Sequence, residues 1–235
     1  MIAARQIAFG RSAKKWINPY ITDGLIAMCD GEWNAGGGKH DSNANTCVNL
    51  VTGEKVEAFK GGHSFDDQSI VLTYGTTGYF RLNGLPIDGN ATLDVVAVGE
   101  TFANYMQFIS FKRTGSYESG YLKLEPNNEK LGWGIGNVIA SFDAKISAKT
   151  PQLKSATITN GVDVVSYTNG ENTDIRTSAK ICISDTLFVG GVNGALDAVV
   201  KNLGGRIFCV RLYNRALTAD EIAHNYEIDK ARFNI

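Results

Sequence analysis

From Gly24 onward, short apolar runs alternate with turn-forming residues, one run about every 8–12 positions, the spacing of a β-sandwich or barrel. Strands are predicted at 24–30, 46–51, 55–60, 69–74, 78–83, 91–98, 105–112, 120–125, 131–136, 138–143, 153–159, 162–168, 186–190 and 205–213. The clearest hairpin runs from Ser155 to Thr168. Two β-branched strands flank Asn160-Gly161, a pair that supplies the positive φ angles of a two-residue turn. A second pair, Asn169-Gly170, ends it. In Arg206-Ile-Phe-Cys-Val-Arg-Leu-Tyr213, strict alternation puts Phe208, Val210 and Leu212 on one face and Arg211 on the other.

One helix breaks the β pattern. Thr218-Ala-Asp-Glu221 has the form of a capping box, Leu217 is placed to staple onto Ile222, and Ile222, Tyr226 and Phe233 follow at near-helical spacing. An apolar stripe packed on the sandwich is therefore expected.

Composition agrees with a turn-rich chain: 26 Gly against 4 Pro among 235 residues, seven of the glycines directly after Asp or Asn. The 23 Lys+Arg balance 24 Asp+Glu to a net charge of -1, which offers no positive field to a phosphate backbone, so nucleic acid is not expected as a partner. No apolar run is long enough to span a bilayer, so no membrane partner is expected either. Charge is uneven only at the start. Arg5, Arg11, Lys14 and Lys15 precede the first acid, Asp23, which divides the chain into a basic segment, 1–22, able to dock on another protein, and a sandwich domain, 23–235. The charges of the first fifteen residues interrupt every stretch that a secretory leader would need, so folding in a bacterial cytoplasm is expected.

Three segments carry a family likeness. The stretch Gly204 to Tyr226 resembles the closing strand and short helix of LamG-like, concanavalin A-like lectin/glucanase jelly rolls. Tyr167-Thr-Asn-Gly-Glu171 is similar to that family's hairpin turn, and Leu187-Phe-Val-Gly-Gly191 to the strand after it. The opening, Tyr20 to Asp41, resembles LamG-like proteins of gut bacteria and their phages. The likeness implies an all-β jelly-roll sandwich of two antiparallel sheets with a short C-terminal helix. It further implies a non-enzymatic carbohydrate-binding or adhesion module at a virion or extracellular surface, with a bacterial surface glycan as partner. Two alternatives stay open: a virion decoration or fibre protein that binds other proteins through 1–22 or self-associates, and a glycoside hydrolase with an unfamiliar site.

Candidate chemistry narrows these readings. The glycosidase strand motif Glu-x-Asp-x-x-Glu is missing; its nearest match, Glu227-Ile-Asp-Lys-Ala-Arg232, lacks the last Glu and falls on the helix. No catalytic set is therefore assigned. Gly62-His63-Ser64-Phe65-Asp66 lacks the second Gly of a nucleophile elbow and is expected as a surface loop. The three histidines share no metal-ligand spacing. Cys29, Cys47, Cys182 and Cys209 are expected as free buried thiols.

The loop Asp30 to Asn45 gathers oxygen donors. Asp30, Glu32, Asp41 and Asn43, with Asn34 and Asn45 beside them, are candidate calcium ligands, since calcium takes six to eight such oxygens; the same residues also shape turns by bonding their own backbone. Apart from calcium, no cofactor is expected. Sugar binding needs a ring for stacking and planar polar groups for hydroxyls, and Trp33, Trp133, Asn34 and Asp41 are the candidates, with Tyr117, Tyr121 and 127–129 as a supplementary rim.

Overall fold

The computed structural model describes residues 17–36, 40–43, 46–59, 63–76, 78–101, 107–112, 122–127, 129–135, 139–142, 146–161, 163–177, 181, 183–190, 192–193, 199–200 and 204–235. In chain order its first nine strands are β1 (Leu25–Asp30), β2 (Thr46–Val48), β3 (Lys55–Phe59), β4 (His63–Phe65), β5 (Ile70–Leu72), β6 (Tyr79–Leu82), β7 (Ala91–Thr101), β8 (Ile109–Phe111) and β9 (Leu122–Asn127). The remainder are β10 (Lys130–Ile135), β11 (Ile139–Phe142), β12 (Gln152–Thr159), β13 (Asp163–Thr168), β14 (Glu171–Arg176), β15 (Leu187–Val189), β16 (Val192–Asn193), β17 (Val199–Val200) and β18 (Gly204–Tyr213), followed by α1 (Ala219–Phe233).

Two antiparallel sheets build an all-β sandwich. One runs β14-β13-β12-β7-β18-β5-β4 with β1 also on β18; the other runs β11-β10-β9-β8-β15-β6-β3-β2, and β16 and β17 form a small separate ribbon. Between the sheets lies a core in which Leu93, Val95, Ala97, Ile207, Val210 and Leu212 of the first face Phe80, Ile109, Phe111, Leu124 and Trp133 of the second. His63 to Phe65, expected as a loop, is strand β4. Cys29, Cys47 and Cys209 are buried free thiols, and Cys182 lies outside the described residues.

Two local expectations change in detail. Asn160 and Gly161 take φ of 53° and 66°, as the turn chemistry requires, but Thr159 pairs with Asp163, so three residues rather than two join the strands. In β18 the register slips between Ile207 and Cys209, a β-bulge. The extra residue sends Phe208 and Cys209 both to the outer face, so Phe208 lies opposite Val210 and Leu212 instead of beside them.

The outer face of the first sheet carries α1. The capping box is present in full: Thr218 Oγ1 accepts from the Glu221 N–H, and Glu221 Oε2 accepts from the Thr218 N–H at 2.8 Å. Leu217 and Ile222 share one buried cluster, the staple expected from their spacing. The buried stripe, however, is Ile222, Asn225, Asp229 and Phe233, with two polar residues at its centre and Tyr226 only half-buried. Their partner is Arg211, which stands directly across from Asp94 on the sheet and is fully buried. Its Nη2 lies 2.6 Å from Asp229 and 3.2 Å from Asp94, and Asn225 donates to Asp94 at 3.0 Å. Residues 17–22 join the same layer. Tyr20 is buried under Arg211 and donates its hydroxyl to Asp229 at 2.7 Å. Residues 1–16 of the basic segment lie outside the described residues.

The cap yields a pH prediction. Bonds from Arg215, and then from Thr218, pull the Glu221 carboxyl down from 4.5 to about 2 against partial burial. A depressed folded-state value means that its contribution is complete above about pH 4.5 and is lost as pH falls toward 2. Glu221→Gln should cost about 1 kcal/mol at pH 7, a fall of about 2–4 °C in Tm. Paired thermal melts from pH 7 to pH 2 should show the gap closing; a gap that persists at pH 2 would contradict the ionic origin of the cap.

Candidate functional site

Strand β18 changes partners along one edge. Gly205 to Ile207 pair with β5, and Cys209 to Tyr213 pair with β1. At the junction the Gly31 N–H donates to the Phe208 carbonyl at 2.9 Å. There the loop after β1 meets the turn before β5 so closely that a Cβ on Gly31 would stand 2.3 Å from the Ser69 Cα. Only glycine permits that approach.

The two segments thereby form the walls of an open groove of about 990 Å³. Glu32 and His40 stand on one wall and Asp66, Asp67 and Gln68 on the other; Arg206 and Phe208, brought to the outer face of β18, form the floor. Each wall is braced. Asp66 Oδ1 accepts from the backbone of Gln68 and Ser69 and from the Ser69 hydroxyl at 2.7–3.0 Å. Its other oxygen lies 3.2 Å from Arg206 Nε, and Arg206 Nη1 lies 3.0 Å from Glu100. On the opposite wall Asp30 Oδ1 accepts from the Glu32 and Trp33 N–H groups, a turn fixed by an aspartate side chain. Arg232 reaches across from α1 to hold Asp30 at 2.8 Å and Glu32 Oε2 at 3.0 Å. His40 Nδ1 lies 3.2 Å from the Gly31 carbonyl, so that nitrogen carries the proton; Nε2 is buried without a hydrogen-bond partner among the described residues.

The loop from Asp30 supplies one wall of this groove, but most of the candidate side chains do other work. Trp133 is fully buried and donates its indole N–H to the Ser155 carbonyl at 3.1 Å, so it bridges the two sheets and has no face for a sugar. Trp33 is 8% exposed, again a packing residue. Asn34 is buried and clamps the loop by two bonds to the Asp41 backbone, at 2.7 and 3.0 Å. Asp41 is exposed and accepts from the Asn43 N–H at 3.0 Å.

Two of the four candidate calcium ligands are held by an arginine. Asp30 is fully buried with both oxygens on Arg232, and Glu32 Oε2 shares the same guanidinium, so three of their four oxygens are already engaged. No three His, Cys, Asp or Glu among the described residues gather into a metal site. Asn45, Tyr117 and Tyr121 lie outside the described residues.

A second cavity, of about 680 Å³, lies between Ile26 of β1 and the β3–β6 edge, where Val56, Leu82 and Leu85 form apolar walls. Among the described residues its lining includes no aromatic ring for stacking. Asp66, Asp67, Arg206 and His40 escape a reading of sequence because the groove is assembled from segments more than 20 residues apart; the Asp66-Asp67-Gln68-Ser69 turn is the only local signal.

No family model matches the chain, and no curated protein matches it. Solved structures do. Trypanosoma rangeli sialidase in complex with sialic acid is 15% identical with a TM-score of 0.63, over 94% of this chain and 36% of that one. A mutant of the same sialidase displaying trans-sialidase activity is 13% identical with a TM-score of 0.63, over 88% and 33%. The receptor binding domain of botulinum neurotoxin C/D mosaic serotype is 14% identical with a TM-score of 0.59, over 87% and 51%. The chain thus spans about a third of the sialidases' length. These likenesses establish the β-sandwich fold, while the LamG-like kinship stays a resemblance. They also correct the expectation of a chain without enzymatic activity: the fold is shared with sialidases, so neither the sandwich nor a missing glucanase motif argues against chemistry. Among the described residues no helix is long and apolar enough to cross a membrane.

Proposed function

We propose that this chain is a carbohydrate-binding β-sandwich that takes a saccharide into the groove between the Asp30–Asp41 loop and the Asp66–Ser69 turn. One observation supports this most: Phe208 lines a groove that also presents hydrogen-bonding groups not consumed by the fold, namely Asp67, the Gln68 amide and Glu32 Oε1. An apolar platform with a few convergent polar groups is the usual make-up of a small-ligand site. The LamG-like resemblance adds the finer reading, a bacterial surface glycan as partner and attachment to a virion through residues 1–22.

A second reading, glycoside hydrolysis, is favoured by Glu32 and Asp67 lining one groove from opposite walls, since hydrolases place paired carboxyl groups about the scissile bond. A glycan array followed by titration of the best hit tests the binding function, and release of reducing ends from that hit tests hydrolysis. Glu32→Gln and Phe208→Leu should each weaken the hit at least about tenfold, the size of a lost charged hydrogen bond or stacking contact. Binding that survives both substitutions would place the saccharide elsewhere, and an array without hits would remove the proposal.

A further inference from the structure

We infer that the groove selects neutral or amino sugars and rejects sugars bearing a carboxylate, with Asp67 as the specificity-determining residue; this rests on the carbohydrate reading above. Among the described residues, three carboxylates, Glu32, Asp66 and Asp67, line the groove against one guanidinium, Arg206. What matters is which of them is already committed. Arg206 spans Asp66 and Glu100, at 3.2 and 3.0 Å, so this cation is shared between two acids of the protein. A ligand carboxylate would have to compete with both acids for that guanidinium. Arg232 is spent in the same way on Asp30 and Glu32 and is nearly buried.

The uncommitted charged groups are of the opposite kind. Glu32 Oε1 and the exposed Asp67 carboxylate accept only. These charged groups call for donors, which vicinal hydroxyls and ammonium groups supply and a carboxylate does not, while the neutral Gln68 amide serves either kind of ligand. Among the described residues of the lining, Asp67 faces no cation other than Arg206, so its charge acts on the ligand. A like charge placed beside it disfavours the acidic sugar more than any single hydrogen bond made there would favour it.

The probes are lactose, sialyllactose and a glucosamine trimer, each titrated into the full chain at low and at physiological ionic strength. Lactose and the glucosamine trimer should bind, and sialyllactose should bind at least about tenfold more weakly at low salt, the difference shrinking as salt screens it. Asp67→Asn should narrow the gap and weaken the trimer most; Asp67→Lys should favour sialyllactose over lactose. Circular dichroism and thermal melts of both variants should match the parent, because Asp67 is an exposed side chain. Equal or tighter binding of sialyllactose by the parent, unchanged in Asp67→Lys, would overturn the selectivity and leave the carbohydrate reading standing. Failure of all three probes together with an empty glycan array would overturn both.

Discussion

Replacing Arg211 by methionine should destabilise the chain by about 3–5 kcal/mol, because it strands two buried carboxylates without a counter-charge. Arg211 binds Asp229 through two bonds of 2.6 and 2.8 Å and Asp94 through two of 3.2 and 3.3 Å, with its guanidinium carbon 4.1 Å from the centre of the Tyr20 ring. All four groups are buried, so water does not replace what is lost. Burial already pushes the Asp94 carboxyl up, and Arg211 is the main influence holding it down. Without Arg211, the folded chain binds that proton more tightly than the unfolded chain does. Folding then takes up a proton, so the deficit should narrow as pH falls from 7 toward 5. For a chain of this size the loss corresponds to a fall of roughly 10 °C in Tm at pH 7. Adding Asp94→Asn and Asp229→Asn to the same chain should recover much of it, since the uncompensated charges then disappear. A single-variant loss below about 1 kcal/mol, set against the usual cost of breaking a buried pair, or no recovery in the triple, would show that helix α1 and residues 17–22 are clamped by the surrounding apolar packing instead.

That clamp separates what is legible in the sequence from what is not. The strands, the Asn160-Gly161 and Asn169-Gly170 turns and the Thr218 capping box depend on residues within a few positions of one another, so local pattern finds them. Strand β14 is missed because Glu171 to Arg176 is a polar edge with no apolar alternation to read. The polar stripe of α1 is missed for a different reason. Asn225 and Asp229 look like solvent positions until the sheet beneath is known to present Arg211 and Asp94. Likewise Phe208 alternates correctly with Val210 and Leu212 in sequence, and only the bulge, a property of the pairing with β7, turns it outward. Trp133 stands out by its flanking glycines, yet those glycines lie within strand β10 and its ring is spent on the core. The loop from Asp30 stands out by its oxygen donors, but its charges face Arg232, 200 residues on, a partner that no spacing rule reveals.

The second large effect is expected from one methyl group. Gly31→Ala places a carbon 2.3 Å from the Ser69 Cα and 2.5–2.6 Å from its carbonyl carbon and nitrogen. These are backbone atoms, so no side chain can turn aside, and the cost should reach or exceed the upper end of overpacking, about 3 kcal/mol. The more telling consequence is local. To make room, the turn that starts at Asp66 has to move off the end of β1, and Asp66 moves with it because its carboxylate is bonded to that turn's own N–H groups. The Arg206 pair lengthens, the two walls separate, and Glu32 and Asp67 no longer act on one ligand. Saccharide affinity should therefore fall further in Gly31→Ala than in Glu32→Gln, measured below the Tm of the variant. Gly53→Ala is the control: it lies in the turn after β2 with φ of 77° and nothing within 4 Å, so it should cost about 1 kcal/mol of backbone strain and leave binding unchanged. If Gly31→Ala instead kept the parent's Tm and affinity, the close approach of β1 and β5 would not be what shapes the groove, and its walls would have to be held by the Arg206 and Arg232 ion pairs alone.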